Sequence, residues 1–121
     1  MFTTDSQMST PADARRMTAA HLLVCCPAAD IEAVQIVLSE LVANAARHTP
    51  AGTWALEVYH DDGALTLLVH DHSERLPQRR EVPALDGHGG MGLGIIDQLT
   101  DHTCVDVTAT GKTITAQWAL P

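Results

Sequence analysis

Two apolar runs joined by a short acidic turn constrain this chain most. Trp54 to His60, WALEVYH, alternates Trp54, Leu56 and Val58 against Ala55, Glu57 and Tyr59, the period-two pattern of a half-buried strand. Asp61, Asp62 and Gly63 supply turn residues, and Ala64 to Asp71, ALTLLVHD, follows as a second, more continuously apolar strand. The pair reads as a hairpin, and His102 to Ala109 with Lys112 to Leu120 repeats the arrangement around Thr110 and Gly111.

The segments outside the hairpins read as helices. Ala12 to Val24 is rich in helix formers, with Pro11 at its start and Ala14, Met17 and Leu22 available for packing. Asp30 is placed to cap a long helix reaching His48, which Pro50 and Gly52 end. Leu93 to Thr100 is a short helix with Leu93, Ile96 and Leu99 on its buried side, and the stretch from His72 to Asp86 is an irregular loop. The order is helix, helix, strand, strand, loop, helix, strand, strand, with no internal repeat and no linker. It implies an α+β, two-layer α/β sandwich: a mixed, mainly antiparallel sheet of about four strands covered on one face by three helices. Residues 1–11 are expected to form a flexible N-terminal arm, with a short edge strand as the alternative, and residues 12–121 a single domain.

Composition removes several function classes. A formal charge of −8 with seven scattered Lys and Arg argues against a nucleic-acid backbone binder, so any anion must be held locally. No apolar run approaches a membrane span and the N-terminus lacks signal-peptide regions, which reads as a cytoplasmic protein without membrane contact. Of the three cysteines, Cys25 and Cys26 are adjacent and no CxxC pair occurs, which favours small buried thiols over a disulfide framework. His70 and His72, with His60 on the preceding strand, offer a zinc alternative that lacks a fourth ligand.

Two stretches carry candidate chemistry. In IVLSELVANAARHTP, Ile36 to Pro50, the residues Glu40, Asn44 and His48 stack along one side of the helix, while Val37, Leu38, Leu41, Val42 and Ala45 form the apolar face. In GHGGMGLGIIDQL, Gly87 to Leu99, a glycine-rich loop runs into a helix. Gly87, Gly89 and Gly92 satisfy GxGxxG, but a proline-containing loop precedes them where the dinucleotide fingerprint needs a strand. Gly111-Lys112-Thr113 mimics the tail of a P-loop, yet Asp106 stands where its first glycine belongs and no helix follows. What survives is the physics of such loops: glycines admit close approach of an anion, and free amides at a helix start, here Gly92 to Ile95, attract phosphates. An acidic protein holding phosphates also needs a metal. Mg²⁺ takes one or two protein oxygens plus phosphate and water; Asn44 offers such an oxygen, and Glu40 a base one turn earlier.

These residues resemble a known family. ELVANAARH at Glu40 to His48, Asp71 closing an apolar strand, GMGLG at Gly90 to Gly94 and GKT at Gly111 to Thr113 look like the asparagine box and three successive glycine boxes of the GHKL, or Bergerat-fold, ATPase superfamily. The nearest resemblance is to its anti-sigma-factor serine/threonine kinase branch, and it covers roughly residues 12 to 119. Carried over, it implies ATP and Mg²⁺ as cofactors, with Asn44 ligating Mg²⁺ and Glu40 as general base. Asp71 would accept from the exocyclic amine of adenine, supported by Thr113 through its hydroxyl or a water. His48 would line the adenine pocket, Arg47 would lie near the phosphates, and Ser73 would match the branch's DxSxxxP variant in DHSERLP. Gly90, Gly92, Leu93 and Gly94 would belong to the ATP lid, with Gly92 and Gly94 as hinge and amide nest.

The resemblance further implies a kinase that phosphorylates an anti-sigma-factor antagonist and regulates a sigma factor, without direct nucleic-acid contact. The alternative is an ATP-binding regulatory module that has lost transfer and acts by protein contact. The family's first strand is absent or vestigial in this reading, which leaves a sheet edge open and homodimerisation undecided. Between Asp86 and Gly92 the lid holds His88 and no Lys or Arg, so phosphate neutralisation would rest on Arg47, Arg79, Arg80 or a partner. The chain is also too short to carry the phosphoacceptor helices of a complete sensor kinase.

Overall fold

Alternating apolar residues dictate where the layers meet. The computed structural model describes residues 1–49, 51–61, 63–72 and 88–121, of which 88–93 are described by backbone alone. The elements are β1 (Phe2–Asp5), α1 (Pro11–Cys25), α2 (Ile31–His48), β2 (Ala55–Asp61), β3 (Ala64–Asp71), α3 (His88–Leu99), β4 (His102–Thr108) and β5 (Gly111–Ala119). The five strands form one open sheet in the order β1-β2-β3-β5-β4, antiparallel at every seam. The fold is thus α+β as expected, but among the described residues it has five strands and no parallel pair. Among the described residues no helix is long and apolar enough to cross a membrane.

The fifth strand comes from the segment read as an arm, where the edge-strand alternative holds. Phe2 pairs with Val58 and Asp5 with Ala55. Side chains fix this short run: Thr4 is buried and its Oγ1 lies 2.6 Å from Ser9 Oγ, while the Asp5 carboxylate accepts from the amides of Gln7 and Met8. Ser6 ties the segment to the next strand, donating its amide to the Trp54 carbonyl and accepting from the Trp54 amide. Four residues, FTTD, carry no alternation long enough to read as a strand. Their partners supply the order.

The first two helices start where the sequence places them. Thr10 and Asp13 form a reciprocal capping box at the start of α1, with Pro11 in the first turn. Asp30 caps α2 by accepting from the Ala33 amide. At the far end Thr49 Oγ1 donates to the Ala45 carbonyl and accepts from the Thr53 amide, and Gly52 takes the positive φ of 65° that turns the chain into β2. Ala14, Thr18 and Leu22 are the buried stripe of α1; Met17, read as a packing residue, is exposed.

Helix α2 is the centre of the helical layer and packs against α1, β3 and α3. Its Val34, Val37, Leu38, Leu41, Val42 and Ala45 meet a sheet face built from Leu56, Val58, Leu65, Leu67, Val69, Ile114, Ala116 and Trp118. Trp118 also donates through Nε1 to the carbonyl of Leu99, which fixes the end of α3 onto β5. Of the cysteines only Cys26 is buried, Cys25 being exposed and Cys104 partly covered, so the buried-thiol reading holds for one of three. Burial and then the neighbouring Asp106 carboxylate push the Cys104 thiol pKa up.

The contact between β1 and α1 generates a pH test. His21 stacks on Phe2 with ring centroids 5.6 Å apart, and its Nε2 is buried without a hydrogen-bond partner among the described residues. Burial, then the N-terminal ammonium and then His60, lower its pKa from the ordinary 6.5. The folded chain therefore binds this proton less readily than the unfolded chain. Stability is complete above pH 6.5 and declines as the pH falls from there towards the lowered folded pKa. Urea unfolding at about pH 7.5 and pH 5.5 is expected to lose less stability across the interval in His21→Asn than in the parent; equal losses contradict this.

Candidate functional site

Strand parity decides which side chains share the helix-covered face. In β3 the buried residues Leu65, Leu67 and Val69 are followed at the same parity by Asp71, the strand's last residue. In β5 Trp118, Ala116 and Ile114 lead back by twos to Lys112. The register sets Asp71 directly opposite Lys112. Lys112 Nζ lies 2.7 Å from Asp71 Oδ2, with the two side chains 0% and 3% exposed. The sheet thus ends, under its helices, in a buried ion pair.

A glycine makes this approach possible. A Cβ on Gly111 would fall 2.0 Å from the Asp71 carbonyl oxygen and 2.9 Å from His72 Cα. Both atoms are backbone, so neither can turn aside. The glycine of GKT is required here for closeness, letting β5 start against the end of β3.

Thr113, expected to support Asp71, lies on the other face of the sheet. Its Oγ1 is 2.7 Å from His70 Nδ1, and His70 Nε2 is 2.5 Å from Glu57 Oε2. One residue of offset in a strand reverses the face, and it is Lys112 that meets the carboxylate. Sequence reasoning missed Lys112, although counting back by twos from Trp118 places it on the apolar face. The same contacts answer the zinc alternative. His70 is held by Glu57 and Thr113, His72 lies beyond the end of β3, and among the described residues no three His, Cys, Asp or Glu side chains converge on a metal position.

Helix α2, which packs against β3, bears the polar stripe. Glu40, Asn44 and His48 are half-buried and Arg47 is exposed. Helix α1 takes the opposite flank, where Arg15 donates to Ser39 Oγ and Gln35 Nε2 donates to the Arg15 carbonyl. Nine residues at about 100° each set Asn44 half a turn from Gln35, on the flank of α2 away from α1. Neither the Glu40 carboxylate nor the Asn44 amide has a hydrogen bond or ion pair with any described residue. Half-buried and uncommitted, they are an acceptor pair of the hard-oxygen kind that suits Mg²⁺.

The glycine run departs from expectation. Gly90, Gly92, Leu93 and Gly94 all lie within α3, which starts at His88 and not at Leu93. Gly94 is two turns in, and a Cβ there would meet open space. Each helical glycine costs about 1 kcal/mol relative to alanine, which is why the sequence reads as a loop. The amides of Gly92 to Ile95 are consequently interior to the helix, and its free first-turn amides begin at His88. Ser73, Arg79 and Arg80 lie outside the described residues.

A family model described as histidine kinase-like ATPase domain matches residues 4–118. No curated protein matches the chain.

The close approach at Gly111 gives a paired test. Gly111→Ala is expected to cost about 2 kcal/mol or more, on the order of 8 °C in Tm, because backbone must move. Gly94→Ala, with space above it in a helix, is expected to raise Tm. Thermal unfolding followed by circular dichroism reads both, and equal tolerance at the two glycines contradicts the geometry.

Proposed function

The chain belongs to the histidine kinase-like ATPase family, an ATP-binding module of the GHKL type, and on that premise we propose that it is a serine/threonine kinase of anti-sigma type. Its substrate would be a serine-bearing anti-sigma-factor antagonist, and its regulatory target a sigma factor. The observation that carries this reading is the uncommitted pair Glu40 and Asn44 on the α2 flank, beside a strand that ends in the buried carboxylate of Asp71.

The roles follow from the chemistry of each group. Asn44 presents a neutral amide oxygen and would hold Mg²⁺, which when bound neutralises phosphate charge. Glu40, one turn earlier, would accept the proton of the attacking serine hydroxyl. As that oxygen bonds to the γ-phosphorus, the bond from γ-phosphorus to the β,γ-bridging oxygen breaks and ADP departs. Asp71 would accept from the 6-amino group of adenine. His48, at the end of α2, would line the base pocket, and exposed Arg47 would serve the phosphates.

A second reading, an ATP-binding regulator without transfer, draws support from two observations. Asp71 Oδ2 is already engaged by Lys112, and the glycines expected to act as hinge are helical. A base at Asp71 would share the carboxylate with Lys112, and helical glycines offer no loop hinge.

Titration calorimetry with Mg-ATP, together with phosphate transfer to a serine-bearing antagonist domain, separates these readings. Asn44→Ala is expected to weaken ATP binding by about 10-fold or more, as loss of a metal ligand should. Glu40→Ala is expected to retain ATP within a few-fold and to lose about 10²-fold or more of transfer. Binding indifferent to Asn44→Ala, or transfer indifferent to Glu40→Ala, would contradict the assigned roles. Binding without transfer to any antagonist domain favours the regulator.

A further inference from the structure

The ammonium of Lys112 has more donors than the protein gives it partners. A lysine carries three N–H donors. Nζ is fully buried, and among the described residues its one partner is Asp71 Oδ2 at 2.7 Å. No hydrogen-bonding geometry beyond that ion pair occupies the remaining N–H groups there. Burying a cation with unfilled donors is costly, and replacing a buried pair by apolar residues is often neutral or stabilising, so stability alone is a weak reason for this lysine.

The surroundings indicate what would fill those donors. Lys112 reaches its position only because Gly111 lets β5 close on β3, and it shares the helix-covered face with Asp71 while Thr113 turns away to His70. The pair therefore offers a ligand an acceptor and a donor side by side. Adenine has the complementary edge: its 6-amino group donates and the adjoining ring nitrogen N1 accepts. Guanine also sets a donor beside an acceptor, N1–H beside O6, so the pair alone admits either purine. The amine-reading role of Asp71 selects adenine.

We propose that Lys112 is a second base-reading residue, donating from its ammonium to N1 of adenine while a further N–H stays on Asp71. This rests on the proposed nucleotide reading of the same site. It assigns Lys112 the direct contact that Thr113, on the opposite face, does not reach. It also makes base choice a matter of two charged groups, so an analogue lacking either partner atom leaves a buried charge short of a hydrogen bond.

The test changes ligand atoms first, so that it does not depend on a variant that fails to fold. Calorimetry on the full chain compares Mg-ATP with 1-deaza-ATP, which lacks the N1 acceptor, with purine riboside triphosphate, which lacks the 6-amino group, and with GTP. The proposal expects 1-deaza-ATP to bind about 10- to 100-fold more weakly than ATP. Lys112→Met should weaken ATP by a similar factor and then bind ATP and 1-deaza-ATP equally. Equal binding of ATP and 1-deaza-ATP by the parent overturns the proposal. If purine riboside triphosphate is still rejected in that case, the Asp71 reading survives without it. Tighter ATP binding by Lys112→Met also overturns it, marking the lysine as an obstruction, as does GTP binding more tightly than ATP. No nucleotide binding by the parent removes both readings together.

Discussion

The seam between β3 and β5 is the constraint on which the rest of the molecule depends. It joins the two strands that carry most of the sheet's apolar face, Leu65, Leu67 and Val69 on one side and Ile114, Ala116 and Trp118 on the other, and α2 packs against β3 beside it. The seam closes on Asp71 and Lys112, with Gly111 providing the necessary closeness. An ion pair so thoroughly buried makes both groups hard to replace singly: removing one partner strands the other, at a cost of about 3–5 kcal/mol. What the pair does fix is geometry. It holds a carboxylate and an ammonium side by side at the end of the sheet, on its buried face.

The sheet divides labour between its two faces. Beneath the helices lie the apolar core and, at one end, the buried charges. On the open face a chain of contacts runs from Glu57 through His70 to Thr113, tying β2, β3 and β5 together by side chains. Parity alone separates Lys112 from Thr113, and so decides which residue of GKT faces the helical layer. Helix α3 is bound to the same sheet through the Trp118 indole, so the glycine-bearing helix is anchored at its C-terminal end.

Much of this was legible from residues. The alternation of Trp54, Leu56 and Val58 placed β2, and Pro11 and the Asp30 cap placed the starts of α1 and α2, because those signals are local and strong. Three features escaped for physical reasons. Strand β1 is four residues long and owes its order to Ser6, Ser9 and Trp54, contacts that no local pattern encodes. Helix α3 begins at His88 despite the weak helix propensity of its glycines. Lys112 was passed over since a lysine is seldom wholly buried, and the motif drew attention to the threonine beside it. The candidates Glu40 and Asn44 were picked out by one helix period, and Asp71 by a family resemblance at a strand end. Their mutual arrangement needed the fold.

The central claim is that the end of β3, and not some other surface, receives the base of ATP. A crystal structure of the chain with Mg²⁺ and a non-hydrolysable ATP analogue tests it most directly. The account expects the 6-amino group of adenine within hydrogen-bond distance of the Asp71 carboxylate, and a Mg²⁺ ion coordinated by the amide oxygen of Asn44. A nucleotide bound elsewhere, or a base that makes no contact with Asp71, would contradict it.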